Sequence, residues 1–460
     1  MLPFFDRLKN VQKELKDTTS FELQPWPVLI AGLAVLMMAF IFAPSMVSLA
    51  FSLALFLAPL WLPLLIVGGA WAVWVVWRRG EFTASQKTIL LEIKLPRNVV
   101  KTPLAMEAFL SALNISGGES NWYLKWIKGS VRPWWSLEMA SFGGQVHFYI
   151  WTRTLWRPMV ESQLYAQYPG VQLVEAPDYT RFISASSEDG WGVWGCDFKH
   201  TEPDPIPIKT YIEYGLDKVQ KEPEQVDPLA NLIEFMSSIG KDEDLWLQFV
   251  FRYHKGEKYH KMVKVPGKSA RRYTWKDKAK ELIDDIRKST RDPYVDPVTG
   301  EERPGFPNPT KGQIEKIGAI ERNISKLAFD VGVRGIYLVK PGKKFNVVFV
   351  LNMISLFKPF NTEGWNNINS TAWMKKFDDY PWDIGINKRK DIFRRKMVEA
   401  FRRRQFFYEP FSEGLPHDDI MVMSTEELAT VYHIPSQAVT TPTLSRIQSA
   451  TSEAPANLPV

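Results

Sequence analysis

From Leu23 to Trp77 the chain carries no Asp, Glu, Lys or Arg. A buried helix of a soluble domain rarely needs more than about 15 apolar residues, whereas a bilayer span needs about 20. The run is far longer than the apolar core of a signal peptide. It is long enough for two spans, and it predicts a transmembrane α-hairpin over 23–77. Two turns fit. One is Ala43-Pro44-Ser45, where proline lacks an N–H and disfavours helix just before it. The other is Ala58-Pro59 to Pro63, with Pro44 kinking the first span. Trp26 stands near the start of the run, and Trp71, Trp74 and Trp77 near its end, where indole rings favour the headgroup layer. Arg78 and Arg79 follow at once, while Arg7, Lys9, Lys13 and Lys16 precede it. Positive charge on both flanks predicts two spans with both termini cytoplasmic. Phe4, Phe5, Leu8, Val11 and Leu15 recur at helical spacing, so 1–22 reads as an amphipathic cytoplasmic segment on the membrane surface.

After the hairpin the pattern changes period. Thr88 to Leu95 alternates and reads as a strand. Thr102-Pro103 supplies an N-cap and a first-turn proline for a helix stopped by Gly117-Gly118. Trp134 to Ser141 and Gln145 to Thr152 form a hairpin around Gly143-Gly144. A helix from Leu155 to Tyr168 ends at Pro169-Gly170, and Val171 to Ala176 makes a fourth strand. The order is β-α-β-β-α-β, the ferredoxin-like split βαβ arrangement, over a first domain at 78–185. A second α+β domain at 186–435 repeats this outline. Its strands are expected at Ile206 to Glu213, Asp244 to Tyr253, Val333 to Lys340 and Asp419 to Met423, with helices from Asp227 to Ile239 and Lys343 to Phe357. Two basic insertions interrupt it, at 255–330 and 361–407. The first holds helices at Trp275 to Ser289 and Lys311 to Phe329. The second holds an Asn-rich loop and the basic helix Lys388 to Arg404. Ser424 to Glu427 is a capping box, and 436–460 reads as a Ser/Thr/Pro/Ala tail or linker. The fold class expected is therefore α+β: a transmembrane α-hairpin followed by tandem ferredoxin-like domains.

The net charge of +6 over 460 residues fits a partner that is an anionic membrane leaflet or a nucleic acid, and does not choose between them. The single cysteine, Cys196, excludes an internal disulfide. Gly267-Lys268-Ser269 resembles the end of a phosphate-binding loop, but Met262 occupies the place of its first glycine, and the flanks lack the required strand. His417-Asp418-Asp419, Asp378-Asp379 and Glu188-Asp189-Gly190 are acidic clusters of the kind that form turns and caps. No acid, base and nucleophile can be assembled from the sequence, so neither an enzyme nor a cofactor nor a metal site is expected. The better candidates are cations interleaved with aromatics. Lys268, Arg271 and Arg272 lie beside Tyr273 and Trp275. Arg394, Arg395, Arg402, Arg403 and Arg404 lie beside Phe406 and Phe407. Such groups suit nucleic-acid phosphates with stacked bases, or an anionic lipid surface, or they are simply a solvated helix face.

The runs ILLEIKLPRN and KTPLAMEAFL, then GGQVHFYIWTR, then VESQLYAQYPGVQLVEAPDY resemble a membrane-proximal module of bacterial type IV secretion and conjugation-related ATPases. STEELATVYHIP and the residues from Val439 onward are similar to the segment joining that module to a HerA/FtsK-like or coupling-protein-like motor. VESQLYAQYP (Val160 to Pro169) is the most specific part. The resemblance implies an assembly module at the bacterial inner membrane, a homo-oligomer, and, since the sequence stops at Val460 where a motor would begin, an ATPase encoded separately. It assigns no catalytic residues. The alternative expectation is a membrane-tethered protein that guides DNA through its basic insertions.

Overall fold

The structure is a computed structural model. It describes residues 25–96, 101–183, 189–218, 227–256, 258–259, 262–263, 271–295, 302–377, 385–408, 420–435 and 446–447. The amphipathic segment, the acidic pairs at 378–379 and 417–419, Glu188 and most of the expected tail lie outside these residues. The chain divides into two compact units, Met1–Val75 and Val76–Val460.

The apolar run forms α1 (Pro25–Phe42), α2 (Pro44–Phe56) and the start of α3 (Ala58–Ser85). Helix breaks at Ala43, the first expected turn, and again at Leu57, whereas the second expected turn, Ala58 to Pro63, is itself helical. Pro63 is carried inside α3. Large apolar side chains point outward along all three, including Phe42, Phe56 and Leu64. Among the described residues, α3 is the one helix that is by itself long and apolar enough to cross a membrane.

The second unit is built on one mixed sheet with helices on it. In chain order its elements begin with β1 (Thr88–Pro96), α4 (Pro103–Ala112), β2 (Trp134–Phe142), β3 (Gln145–Arg153), α5 (Arg157–Gln167) and β4 (Gln172–Glu175). There follow β5 (Gly192–His200), α6 (Pro228–Ser237), β6 (Glu243–Tyr253), the short pair β7 (Met262–Val263) and β8 (Arg271–Arg272), α7 (Trp275–Ser289), β9 (Arg291–Val295), β10 (Glu302–Pro307) and α8 (Lys311–Ser325). The last elements are β11 (Ala328–Val339), α9 (Val347–Ile354), β12 (Ile368–Thr371), α10 (Ile386–Arg402), β13 (Met421–Ser424), α11 (Thr425–Val431) and β14 (Arg446–Ile447).

The main sheet runs β12-β5-β11-β6-β2-β3-β1-β14, with β4 also on β1 and β13 on the start of β11. All its pairs are antiparallel except β1 with β14. The stretches expected as separate domains are thus joined edge to edge, β2 against β6 from Trp134↔Arg252 to Phe142↔Asp244. That pairing removes two edges that would otherwise expose a row of unpaired N–H and C=O groups. Both faces are buried. One carries Leu91, Leu137, Phe148, Phe249 and Val333 against α4, α5, α6, α9 and α11. The other carries Trp134, Trp151, Trp246 and Ile336 against α10 and the aromatic segment Phe406–Phe407. Burial on two faces explains why DLWLQFVFRY is almost continuously apolar rather than strictly alternating.

Four expectations change. Ile206 to Glu213 is not a strand: Pro205 and Pro207 cannot donate to a ladder, and the chain there turns while Ile206 and Ile208 stay buried. The strand lies upstream, at β5. The partner of β5 on its outer side is β12, inside the stretch expected as an Asn-rich loop, whereas β13 pairs with β11. Lys311 to Phe329 is helical only to Ser325, because Ala328 onward joins the sheet. Within the expected tail, Arg446 and Ile447 pair in parallel with Leu95 and Pro96.

Close packing of α10's C-terminal segment on the sheet depends on a missing side chain: a Cβ on Gly332 would run into the ring of Phe406. Overpacking of this kind costs about 1–3 kcal/mol, so Gly332→Ala should lower the unfolding free energy of the detergent-solubilised chain by that amount. Gly318 in α8 has open space around it, and Gly318→Ala should raise it by about 0.5–1 kcal/mol.

Candidate functional site: a buried polar row and a basic collar

Polar residues on one sheet face line up directly opposite one another. Register places Glu92, Tyr149, Glu138, Gln248, Arg334, Asp197 and Thr371 in one row across seven strands. Its centre is dry: Glu138, Gln248 and Asp197 are fully buried and Arg334 nearly so. Unpaired charge there would cost several kcal/mol, and each fully buried carboxylate of the row is paired with an arginine. Asp197 accepts from Arg334 Nε and Trp373 Nε1, both at 2.8 Å. Glu138 accepts from Tyr179 OH at 2.7 Å, Ser136 Oγ at 2.7 Å and Gln248 Nε2 at 3.0 Å.

The strongest partner of Glu138 is Arg404, which is fully buried. Arg404 Nε donates to Glu138 Oε1 at 2.9 Å and Nη2 to Oε2 at 3.2 Å. Nη1 and Nη2 also donate to Asp178 at 2.5 and 3.0 Å, and Nη1 to the Arg402 carbonyl at 2.8 Å. All the guanidinium's donors are used. Burial pulls the Arg404 pKa down, but the two carboxylates outweigh it and raise it. Burial likewise pushes Asp178 up, and Arg404 reverses the shift to leave it low.

Arg404 ends α10 in a Schellman arrangement, with its own N–H on the Phe401 carbonyl and the Gln405 N–H on Ala400. That places it at the left-handed position usually held by glycine, here at φ 51°. Among the described residues, the other non-glycine positions with positive φ are Ala372 and Trp373. Trp373 delivers its indole to Asp197. Backbone strain therefore sits at the residues that satisfy the row.

A second ionic group lies four residues along the strands. Arg252 donates to Asp330 Oδ2 at 3.0 Å, and His254 Nδ1 lies 2.6 Å from Oδ1. Burial raises the Asp330 pKa, but Arg252 and His254 overcome it and hold it well below the ordinary carboxylate range. Arg252 stacks under Phe407 at 4.3 Å and Tyr408 at 5.1 Å. Tyr408 donates to Glu119 at 2.8 Å, and its ring also carries Arg79 at 5.2 Å.

Arg79 belongs to a basic and aromatic collar around the end of α3. Arg78 Nε donates to the Ile127 carbonyl at 2.9 Å. Arg79 lies 5.5 Å over Trp126. Phe82 and Trp134 sandwich Arg153 at 5.6 and 4.7 Å. Burial pulls the Arg153 pKa down to about 10, and the two rings supply part of the lost solvation.

The sequence-derived candidates therefore separate. Arg78, Arg79 and Trp77 come together at the collar. Trp71, Trp74 and Trp77 are exposed along α3; Trp26 falls in α1, its side chain outside the described residues. Lys268 is outside them too. Arg271 and Arg272 are exposed, and Arg271 forks onto Asp277 at 2.6 and 2.7 Å. Arg394 is half-buried, while Arg395 is exposed and pairs with Asp391 at 2.5 Å. Glu399 holds both Arg402 and Arg403, and Arg402 also donates to the Thr180 and Ile183 carbonyls. Arg404 is corrected outright: with no exposed surface and every donor engaged, it cannot meet a nucleic acid or a lipid. A run of arginines before two phenylalanines reads alike whether it faces solvent or a buried carboxylate. Glu138, inside the expected strand WWSLEMAS, was the one available signal that a buried cation was needed.

A third cluster titrates. Asp204 is buried among Lys258 Nζ at 2.6 Å, His200 Nδ1 at 3.3 Å and Tyr259 OH at 3.3 Å. Burial raises its pKa, but Lys258 and His200 reverse this and hold it at about 2. Glu427 caps α11 and accepts from the Ser424 and Ile208 N–H groups at 3.0 and 3.1 Å. Burial still pushes it up to about 7, against His200 and these N–H groups. Among the described residues, no three His, Cys, Asp or Glu side chains converge as a metal site.

Removing one partner of a buried ion pair costs about 3–5 kcal/mol, so Arg404→Ala should destabilise the chain by that amount in denaturant titrations. Arg404→Gly should cost about 1 kcal/mol less, because glycine relieves the left-handed strain. The carboxylates set opposite pH slopes. Glu427, raised in the fold, stabilises fully below its unfolded value, and that contribution is lost as pH rises through about 7. Asp204, depressed, stabilises above its unfolded value and loses this as pH falls toward about 2. Melting temperatures of Glu427→Gln should be lower throughout, since an amide faces a backbone N–H, but should lack the wild-type decline between about pH 5 and 7.

A family model described as a domain of unknown function, DUF8128, matches residues 82–446. The match starts at Phe82 in the collar and reaches β14, so it takes in the whole sheet and both basic insertions. No curated protein matches the chain. With most of its length matched, the chain belongs to the DUF8128 family.

Proposed function

We propose that this chain is a non-enzymatic, membrane-anchored scaffold of a type IV secretion- or conjugation-like machine at the bacterial inner membrane. Several copies would hold a separately encoded HerA/FtsK-like or coupling-protein-like ATPase at the cytoplasmic face. The observation that carries the anchoring is the continuity of α3. Its stretch from Ala58 to Trp77 is apolar, about 30 Å long at 1.5 Å per residue, and so matched to a hydrocarbon core. Its last two turns are engaged by the collar through Arg78, Arg79 and Phe82. The helix break at Ala43 and the positive charge on both flanks support two spans with cytoplasmic termini.

The strand orders β4-β1-β3-β2 and β12-β5-β11-β6 support a reading as two ferredoxin-like units joined at β2 and β6. In each, a helix follows the first and third strands of the unit. The buried row favours a body that keeps one shape, since its charges are spent on holding the second insertion to the sheet. The motor partner rests on the resemblance carried by Val160 to Pro169 and Ser424 to Pro435.

A crosslinked pull-down from native membranes tests the proposal. The full chain should bring down an ATPase, and a chain ending at Ile447, which retains β14, should bring down less. A clean membrane fraction in which the full chain captures no ATPase overturns the scaffold reading. Nucleic acid in its place would transfer the function to the exposed Arg271, Arg272, Arg395 and Arg403.

A further inference from the structure

The loop between α4 and β2 carries a cluster that the anchoring reading does not use. Trp122 and Tyr123 are 68% and 47% exposed, unusual for two adjacent large aromatics. They meet edge to face at 6.3 Å. Lys128 stands over the Tyr123 ring at 5.8 Å and Lys125 over Trp126 at 5.2 Å. The segment is structured: Asn121 Oδ1 accepts from the Leu124 N–H at 2.8 Å. The Lys128 N–H reaches the Tyr123 carbonyl at 3.0 Å, closing a single wide turn over Tyr123–Ile127. Such i→i+5 turns are rare.

This loop is held at a defined height on α3. Arg78 Nε donates to the Ile127 carbonyl at 2.9 Å. Gly129, at φ +66°, lies so close to the Arg78 backbone that a Cβ would collide with its carbonyl carbon. The contact falls one residue past Trp77, about 1.5 Å along the helix. The loop that carries Trp122 and Tyr123 is thereby tied to α3 just past its apolar stretch, where a span would meet the headgroup layer. Exposed indole and phenol rings flanked by lysines are the composition that partitions into a headgroup layer, rings in the interface and ammonium groups on lipid phosphates.

We infer that Trp122, Tyr123, Lys125 and Lys128 form a second membrane contact, an interfacial foot that enters the anionic headgroup layer beside the exit of α3. The inference rests on the membrane-anchored reading. It predicts that the body is held by the bilayer at two places, so that its tilt on the membrane is set by the loop as well as by the helix.

The test uses the full chain reconstituted in phosphatidylcholine vesicles with and without phosphatidylserine. A fluorophore on Trp122→Cys is compared with one on Phe306→Cys, another exposed aromatic position on the hairpin of β9 and β10. The native Cys196 is buried and stays unlabelled. Headgroup spin-labelled lipid should quench the probe at 122 and not the one at 306, and iodide should lose access to 122 alone. Lys125→Glu with Lys128→Glu should reduce the quenching in phosphatidylserine vesicles more than in neutral ones. A chain that stays with the vesicles while the probe at 122 remains open to iodide and unquenched by lipid overturns the foot and leaves the anchor standing. Shielding from iodide without lipid quenching means that protein covers the loop, and also overturns it. A chain that fails to associate with vesicles removes the anchor, and the foot with it.

Discussion

Arg404 reaches two carboxylates from a backbone conformation that a side chain rarely adopts, and much of the second unit is arranged around that contact. Glu138 projects into the face of the sheet at the seam where β2 meets β6, fully buried from solvent. A buried carboxylate of this kind requires a cation, and the cation comes from residues more than 260 positions later in the chain. To supply it, α10 must end where it does, the following residue must turn left-handed, and Phe406 and Phe407 must then lie across the sheet. Gly332 is the place left open for them.

The same rule organises the rest of that face. Asp197 draws in Trp373 through a strained turn, and Asp330 draws in Arg252 and His254. Glu138 and Asp197 each fix a segment of the second insertion, through Arg404 and Trp373, that would otherwise have no reason to lie flat on the sheet. The second insertion is therefore less like an appendage than like a clamp, and its basic character belongs partly to the core. The cations that stay exposed on α10, Lys388, Arg395 and Lys396, and Arg403 just past its end, are the remainder after those internal requirements are met.

The collar extends this logic to the end of the apolar helix. Arg78 is hydrogen-bonded and Arg79 stacked within the second unit, so the cations that follow the apolar run also belong to the fold. The family match begins within this collar, consistent with the last turn of α3 being part of the domain's own packing rather than a connector before it.

Much of the fold was legible in the sequence because its signals are local. The uncharged run from Leu23 to Trp77, the Gly143-Gly144 hairpin, the proline start of α4, the capping box at Ser424 and the helical spacing of α7 and α10 each depend on residues within a turn or two. The element order through β4 could be read from them. The sequence could not reveal that β2 and β6 would pair, because an edge strand and a shared interior strand carry the same apolar pattern. Nor could it place β12 within an Asn-rich stretch, since a four-residue strand is specified by its neighbour more than by itself. The candidate site divides in the same way. The end of the uncharged run at Arg78 and Arg79 was legible because a change from apolar to charged residues is written in composition. Arg404 was misread as a surface charge because its role is decided by Glu138, and Trp122 and Tyr123 were passed over because exposure is not a property of sequence. Local chemistry determined most of the helices, the β2–β3 hairpin and where the apolar run ends. Tertiary structure alone decided which charges are spent inside, because burial and partnership are set by distances between residues that lie far apart in the chain.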